Sequence, residues 1–205
     1  MFGGWLETLH VALALLFSGA AVKLMDDALD AEFDLCQGKR TLAARLGRAA
    51  LPYSLAMLAI GVALNPGMAF AAFFGSYAVG MFARPGEQLP TRLPAWVEIV
   101  AAIAISVLLV GWRDTLWGVA MMAVVDWLDD VMDRYRDAQT GQFNVVVRFG
   151  LIEVLFALLG MFCVALYADI EATIFAFIVL VILNIVSELT TVRILVHDEE
   201  ASESW

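Results

Sequence analysis

Apolar residues along this chain come in long unbroken runs between short polar clusters, without the alternation of half-buried strands or the single stripe of a surface helix. No charged residue lies between Arg48 and Arg84, and further uncharged runs cover 99–111 and 172–187. A bilayer core of about 30 Å, crossed at about 1.5 Å per helical residue, demands runs of this kind. The pattern predicts seven helical spans, at 5–25, 49–64, 67–83, 94–111, 114–128, 150–167 and 171–193. Tight turns are predicted at Asn65–Pro66 and 167–172, and longer polar loops with Gly or Pro at 35–48, 84–93 and 138–149. The expected fold is all-α: a polytopic bundle of about seven transmembrane helices forming one domain over residues 1–205.

Composition strengthens this reading. Hydrophobic residues make up 62% of the chain and charged ones 17%, with a mean hydropathy of +0.83, a surplus that a soluble domain of this size cannot hide. The opening MFGGWLETLH has no basic residue beyond His10, so no cleavable leader is expected and residue 1 is read as mature. Cys36 and Cys163 suggest neither a disulfide framework nor a zinc site. Lys39, Arg40, Arg45, Arg48, Arg84, Arg92, Arg134, Arg136, Arg148 and Arg193 fall on one side of the predicted topology and Arg113 on the other. The basic side is expected to be cytoplasmic, in a multi-pass protein of the cell membrane. Trp5, Trp96, Trp112 and Trp117 lie near predicted span ends, where an interfacial aromatic belt would place them.

Charge is concentrated rather than spread. Within the net charge of −10, nine aspartates occupy two short windows. Sliding the chain on itself by 103 residues lays DDALDAEFDLCQGKRTLAARLG, at 26–47, on DDVMDRYRDAQTGQFNVVVRFG, at 129–150, without a gap. Asp26, Asp27, Asp30, Asp34, Gly38, Arg45 and Gly47 pair with Asp129, Asp130, Asp133, Asp137, Gly141, Arg148 and Gly150. The halves 1–103 and 104–205 thus form an internal repeat, and the even number of crossings between clusters makes it a parallel one with both clusters at the same face.

Spacing suggests the chemistry. On a continuing helix Asp27, Asp30 and Asp34 share one face, as do Asp130, Asp133 and Asp137. Like charges one turn apart repel, so a positive partner is required. An oxygen-only set on facing helices suits Mg²⁺, which keeps waters and bridges carboxylates to phosphate oxygens. Lys23, Asp126 and the first acids of each cluster sit at predicted membrane depth, where ionisable groups usually line a polar cavity. Lys39, Arg40, Arg45 and Arg148 are candidates for phosphate contacts, and equally ordinary cytoplasmic-side charges.

The two strings resemble the aspartate-rich motifs of the UbiA superfamily of intramembrane prenyltransferases, whose members hold Mg²⁺ and an isoprenyl diphosphate on NDxxDxxxD and DxxxD helix ends. The portion DxxxDxxxGKRTLAxRLG, from Asp30 to Gly47, is similar to the second motif of quinone-pathway members. Asp126 matches an upstream Asp of that second motif, and its partner in the first copy is Lys23. Asp26 stands where the family has Asn, and Gln142 and Asn144 replace a Lys and a Thr. The four-span interval fits the family's nine helices with motifs on the second and sixth. The chain then corresponds to a short member without the first and last helices, its wall completed by a homo-oligomer or a partner chain.

The resemblance implies Mg²⁺ held by Asp26, Asp27, Asp30, Asp34, Asp126, Asp129, Asp130, Asp133 and Asp137, with Asp30 and Asp133 catalytic. Lys23, Lys39, Arg40, Arg45 and Arg148 would bind diphosphate; Glu98, Asn184 and Glu188 are weaker candidates on the acceptor side. Phe33, Tyr135 and Phe143 are packing residues or carbocation-facing rings. The expected reaction moves an isoprenyl group from its diphosphate to an aromatic or other lipophilic acceptor, with the bilayer as medium and no nucleic-acid partner. Terpene cyclisation and phosphoribosyl transfer remain open within the family; a cation transporter or a non-catalytic scaffold remains open outside it.

Overall fold

The computed structural model describes residues 2–36, 38–82 and 84–193, and the described chain is helical almost throughout. Helix α1 (Phe2–Leu29) carries the first acidic cluster at its end, bends at Asp30, and resumes as α2 (Ala31–Cys36). The helical hydrogen-bond ladder survives the bend, because Asp30 N bonds Asp26 O and Asp34 N bonds Asp30 O, each at 3.0 Å. After strand β1 (Lys39–Arg40) and the short α3 (Leu42–Leu46) come α4 (Ala50–Leu64), α5 (Pro66–Val79) and α6 (Ala95–Val110). Helix α7 (Trp112–Thr140) carries the second cluster without a break. The chain then forms the short α8 (Val145–Phe149), α9 (Leu151–Ala168), α10 (Ile170–Thr190) and strand β2 (Val192–Arg193).

Among the described residues four stretches are long and apolar enough to cross a membrane: Gly4–Leu29, Leu42–Leu64, Leu151–Ala168 and Ile170–Thr190. Helices α5 and α6 are apolar but shorter, and the second half of α7 is rich in charge. Large side chains point outward from these helices: Leu108 is 85% exposed, Phe156 70% and Leu189 80%. Apolar surface on this scale is stable where the surrounding medium is itself apolar.

The sequence offset of 103 reappears in local structure. Gly38 and Gly141 take left-handed conformations of nearly equal φ, 72° and 75°, which a side chain would strain. Thr41 and Asn144 each cap the short helix that follows, Thr41 by accepting from Ala44 N and Asn144 from Val146 N and Val147 N. Gly47 and Gly150 close those helices, again at positive φ. The long helices then follow in matching order, α5 capped by the side chain of Asn65 and α10 by that of Asp169.

Packing joins the halves. Helix α1 lies against α4, α5 and α10, while α7 lies against α5, α6 and α9. At the α5–α7 contact a Cβ on Gly75 would come within 2.5 Å of the Gly118 backbone, and one on Gly118 would strike the carbonyl of Ala71. A Cβ on Gly61 of α4 would lie 3.1 Å from Ala14 O of α1, a tight contact though a looser one than at the α5–α7 seam. Small residues thus let the helix axes approach, the usual route to affinity between helices in lipid. Trp117 departs from its expected place in an aromatic belt: it is 1% exposed, and its indole N–H donates to Thr173 Oγ1 at 3.0 Å, tying α7 to α10. Trp5, Trp96 and Trp112 do lie on the surface.

Among the described residues the all-α expectation holds apart from one two-stranded pairing and an isolated bridge between Gln88 and Pro94. Strands β1 and β2 run antiparallel, Lys39 opposite Arg193 and Arg40 opposite Val192, and fasten the end of α10 to the loop after the first cluster. Helix α10 accordingly stops at Thr190, short of the residue 193 that hydropathy predicts.

Candidate functional site

The two acidic helix ends open onto one cavity of about 1000 Å³. All nine aspartates of the two clusters line it. Its inner walls are apolar, formed by Leu15 of α1, Ala72 and Val79 of α5, Met121 of α7 and Val179 of α10. A polar rim over an apolar interior suits a ligand with a charged head and a hydrocarbon body.

Contact between the clusters is direct. Gln142 Nε2, just past the second cluster, donates to Asp30 Oδ2 of the first at 3.3 Å. Several carboxylates already have partners: Lys23 Nζ lies 3.0 Å from Asp27, and Arg136 lies 2.9 Å from Asp133. Asp130 Oδ2 accepts from Val145 N at 2.7 Å, which ties α7 to the start of α8. Buried Asp137 accepts from Asn144 Nδ2 at 2.8 Å, and the same amide donates to Asp130 O at 2.7 Å. The carboxylates of Asp26, Asp126 and Asp129 make no hydrogen bond or ion pair with any described residue.

Burial and crowding favour the protonated acids. Burial raises the pKa of Asp30; the neighbouring charges of Asp34, of Asp27 and of Asp137 on the facing helix add to the effect, and Lys23 opposes it. Burial also raises Asp34, with Lys39 working in the other direction. Asp130 is pushed up to about 6 by burial, with the Val145 N–H opposing and Asp137, Asp129 and Asp133 adding. Such a site gains most from a bound cation.

Among the described residues no three carboxylate, imidazole or thiol groups converge on a single point. The donor chemistry nevertheless fits a hard divalent ion, since nine carboxylates line the cavity and Mg²⁺ takes several of its ligands from water or phosphate. Asp26, Asp34, Asp126 and Asp129 are the aspartates of the clusters able to hold it without first giving up a protein partner.

The other sequence candidates divide. Lys23, Lys39, Asn184 and Glu188 line the cavity; Arg40, Arg45, Arg148 and Glu98 do not. Arg45 Nη1 donates to the carbonyl of Thr190 at 3.3 Å and so reinforces the clasp on α10. Arg148 lies over the rings of Phe143 and Phe149, at 5.8 and 5.2 Å. Glu98 accepts from Tyr77 and Thr91 away from the cavity. Phe33 and Phe143 line the cavity, whereas the ring of Tyr135 lies outside it under Arg134, 4.3 Å from the guanidinium carbon.

Arg84, Arg136 and Gln142 also reach the cavity, although sequence reasoning gave them no binding role. Arg136 sits one turn from Asp133, a local signal that was present. Arg84 arrives from the segment between α5 and α6 and carries no such signal.

No family model, curated protein or solved structure matches this chain.

Proposed function

We propose that this chain is a multi-pass membrane protein of the UbiA type that transfers an isoprenyl group from its diphosphate to a lipophilic acceptor. The single observation that carries the proposal is the convergence of both aspartate clusters on one cavity whose inner walls are apolar. In this reading the seven long helices cross the bilayer as a parallel repeat, and the clusters lie on its basic, cytoplasmic side.

Each group then has a task. Asp26, Asp126 and Asp129 would hold Mg²⁺, which when bound withdraws charge from the diphosphate as it leaves. Lys39, Arg84 and Arg136, lining the same rim, are placed to bind phosphate oxygens. Asp30 and Asp133 orient these cations from opposite helices, Asp133 through its pair with Arg136. The hydrocarbon chain lies along α5, α7 and α10, where Val79, Met121 and Val179 exclude water from the reacting carbon. Asn184 and Glu188 of α10 are the polar groups on the acceptor side.

The test is turnover of labelled geranylgeranyl diphosphate with Mg²⁺ and a panel of aromatic and glycerol-phosphate acceptors. Asp30→Asn and Asp133→Asn should each lose transfer by about a hundredfold or more, in line with removal of a group that stabilises developing charge. Failure of the purified protein to bind any isoprenyl diphosphate, or equal turnover in all three proteins, rejects the proposal. One observation favours a non-catalytic cation-binding scaffold: Asp27 and Asp133 already have cationic partners. That scaffold would bind Mg²⁺ yet release no diphosphate.

A further inference from the structure

At one cavity-lining position of the repeat, a cation in the first half corresponds to an anion in the second. Lys23 and Asp126 stand 103 residues apart, each one turn before its cluster, and both line the cavity. Lys23 Nζ is 3.0 Å from Asp27, and its electrostatic neighbours are Asp26 and Asp27 on its own helix and Asp129 on the opposite one. Its ammonium therefore sits between the clusters rather than out toward solvent.

The surrounding charges are unevenly shared. On the α1 side the cavity is lined by four aspartates together with Lys23 and Lys39; on the α7 side by five aspartates together with Arg136. A divalent cation placed among Asp26, Asp27 and Asp30 would lie against the ammonium of Lys23, and the two would repel. An ion between Asp126 and Asp129 meets a weaker repulsion, because Lys23 neighbours Asp129 without pairing to it and is held against Asp27 on the α1 side.

Resting on the reading of this cavity as a metal and diphosphate site, we infer that Lys23 is a tethered cation that replaces one divalent ion, so that the chain binds a single metal on its Asp126–Asp129 side. Lys23 is then a positioning residue: it fixes where the metal sits and how many ions the site takes, without needing to touch substrate. It neutralises Asp27 permanently, where an exchangeable ion would do so only when bound.

The probe is Mn²⁺ alone, counted by electron paramagnetic resonance on the full-length protein in lipid nanodiscs, with no diphosphate present. Wild type should take up one Mn²⁺ per chain. Lys23→Met should take up a second and hold the first roughly tenfold more tightly, since a neighbouring positive charge has been removed. Lys23→Arg, which keeps the charge, should behave as wild type, and so guards against a loss of fold in the Met variant. Equal stoichiometry and affinity in wild type and Lys23→Met overturn the inference while leaving the metal site standing. Two ions in the wild type also overturn it. No Mn²⁺ in any of the three proteins overturns both this inference and the functional reading beneath it.

Discussion

Asn144 donates from Nδ2 to Asp137 Oδ2 at 2.8 Å, and both side chains are buried, 2% and 6% exposed. The same Asn accepts from Val146 N and Val147 N through Oδ1 and donates to Asp130 O. One amide therefore caps α8, closes the end of α7 and satisfies the most buried carboxylate of the second cluster.

Asn144→Ala should be strongly destabilising, because it removes a helix cap and leaves Asp137 buried without its donor. The expected loss is about 2–4 kcal/mol, measured as unfolding free energy in mixed micelles. Asn144→Asp keeps an acceptor for the cap but sets a second carboxylate against Asp137, so it should rescue little. A loss below about 0.5 kcal/mol for Asn144→Ala would show that the network is not structural.

How much of this was legible in the sequence depended on whether the signal was local. Uncharged runs marked the seven long helices, with ends correct to a few residues except where α1 and α7 continue into their clusters. The spacing of Asp26 to Asp34 and of Asp129 to Asp137, duplicated at fixed offset, marked the residues that line the cavity. The partners were not legible: the lateral contact of Gln142 with Asp30 depends on how two distant helices are set side by side. The same holds for Arg45, whose charge suggested phosphate but whose guanidinium closes onto the carbonyl of Thr190, and for Arg84, carried to the rim by a loop. Trp117 misled because proximity to a predicted span end says nothing about which face of the helix a ring occupies. Pairing of β1 with β2 joins two-residue strands, too short to leave a period-two pattern.

Gly118→Ala tests whether the cavity depends on the close approach of α5 and α7. The added methyl would strike the carbonyl of Ala71, which belongs to helix backbone and cannot move alone. The two helices must part, at a cost of about 1–3 kcal/mol. Since both helices line the cavity, Mn²⁺ affinity should fall as well. Gly160→Ala is the control: nothing lies within 4 Å of its added Cβ, and better helix propensity should leave it neutral or stabilised by about 0.5–1 kcal/mol. Equal stability of the two variants would refute a tight α5–α7 seam.

Stability should respond to pH and to metal in opposite directions. Asp130 titrates at about 6 in the folded protein against an ordinary 3.8, chiefly because it is buried. The folded state thus binds this proton more tightly than the unfolded chain does. The resulting stabilisation is complete below about pH 4 and is lost as pH rises through about 6. Asp30 and Asp34, also raised by burial, act in the same sense. Metal-free protein is therefore expected to resist unfolding better at about pH 5 than at about pH 7.5. A divalent cation competes with the proton for these carboxylates, so Mg²⁺ should stabilise strongly at the higher pH and little at the lower. Unfolding curves at both pH values, with and without Mg²⁺, decide the matter, and Asp130→Asn should flatten the metal-free difference. Mg²⁺ stabilisation of equal size at the two pH values would mean that the ion binds somewhere other than these acids.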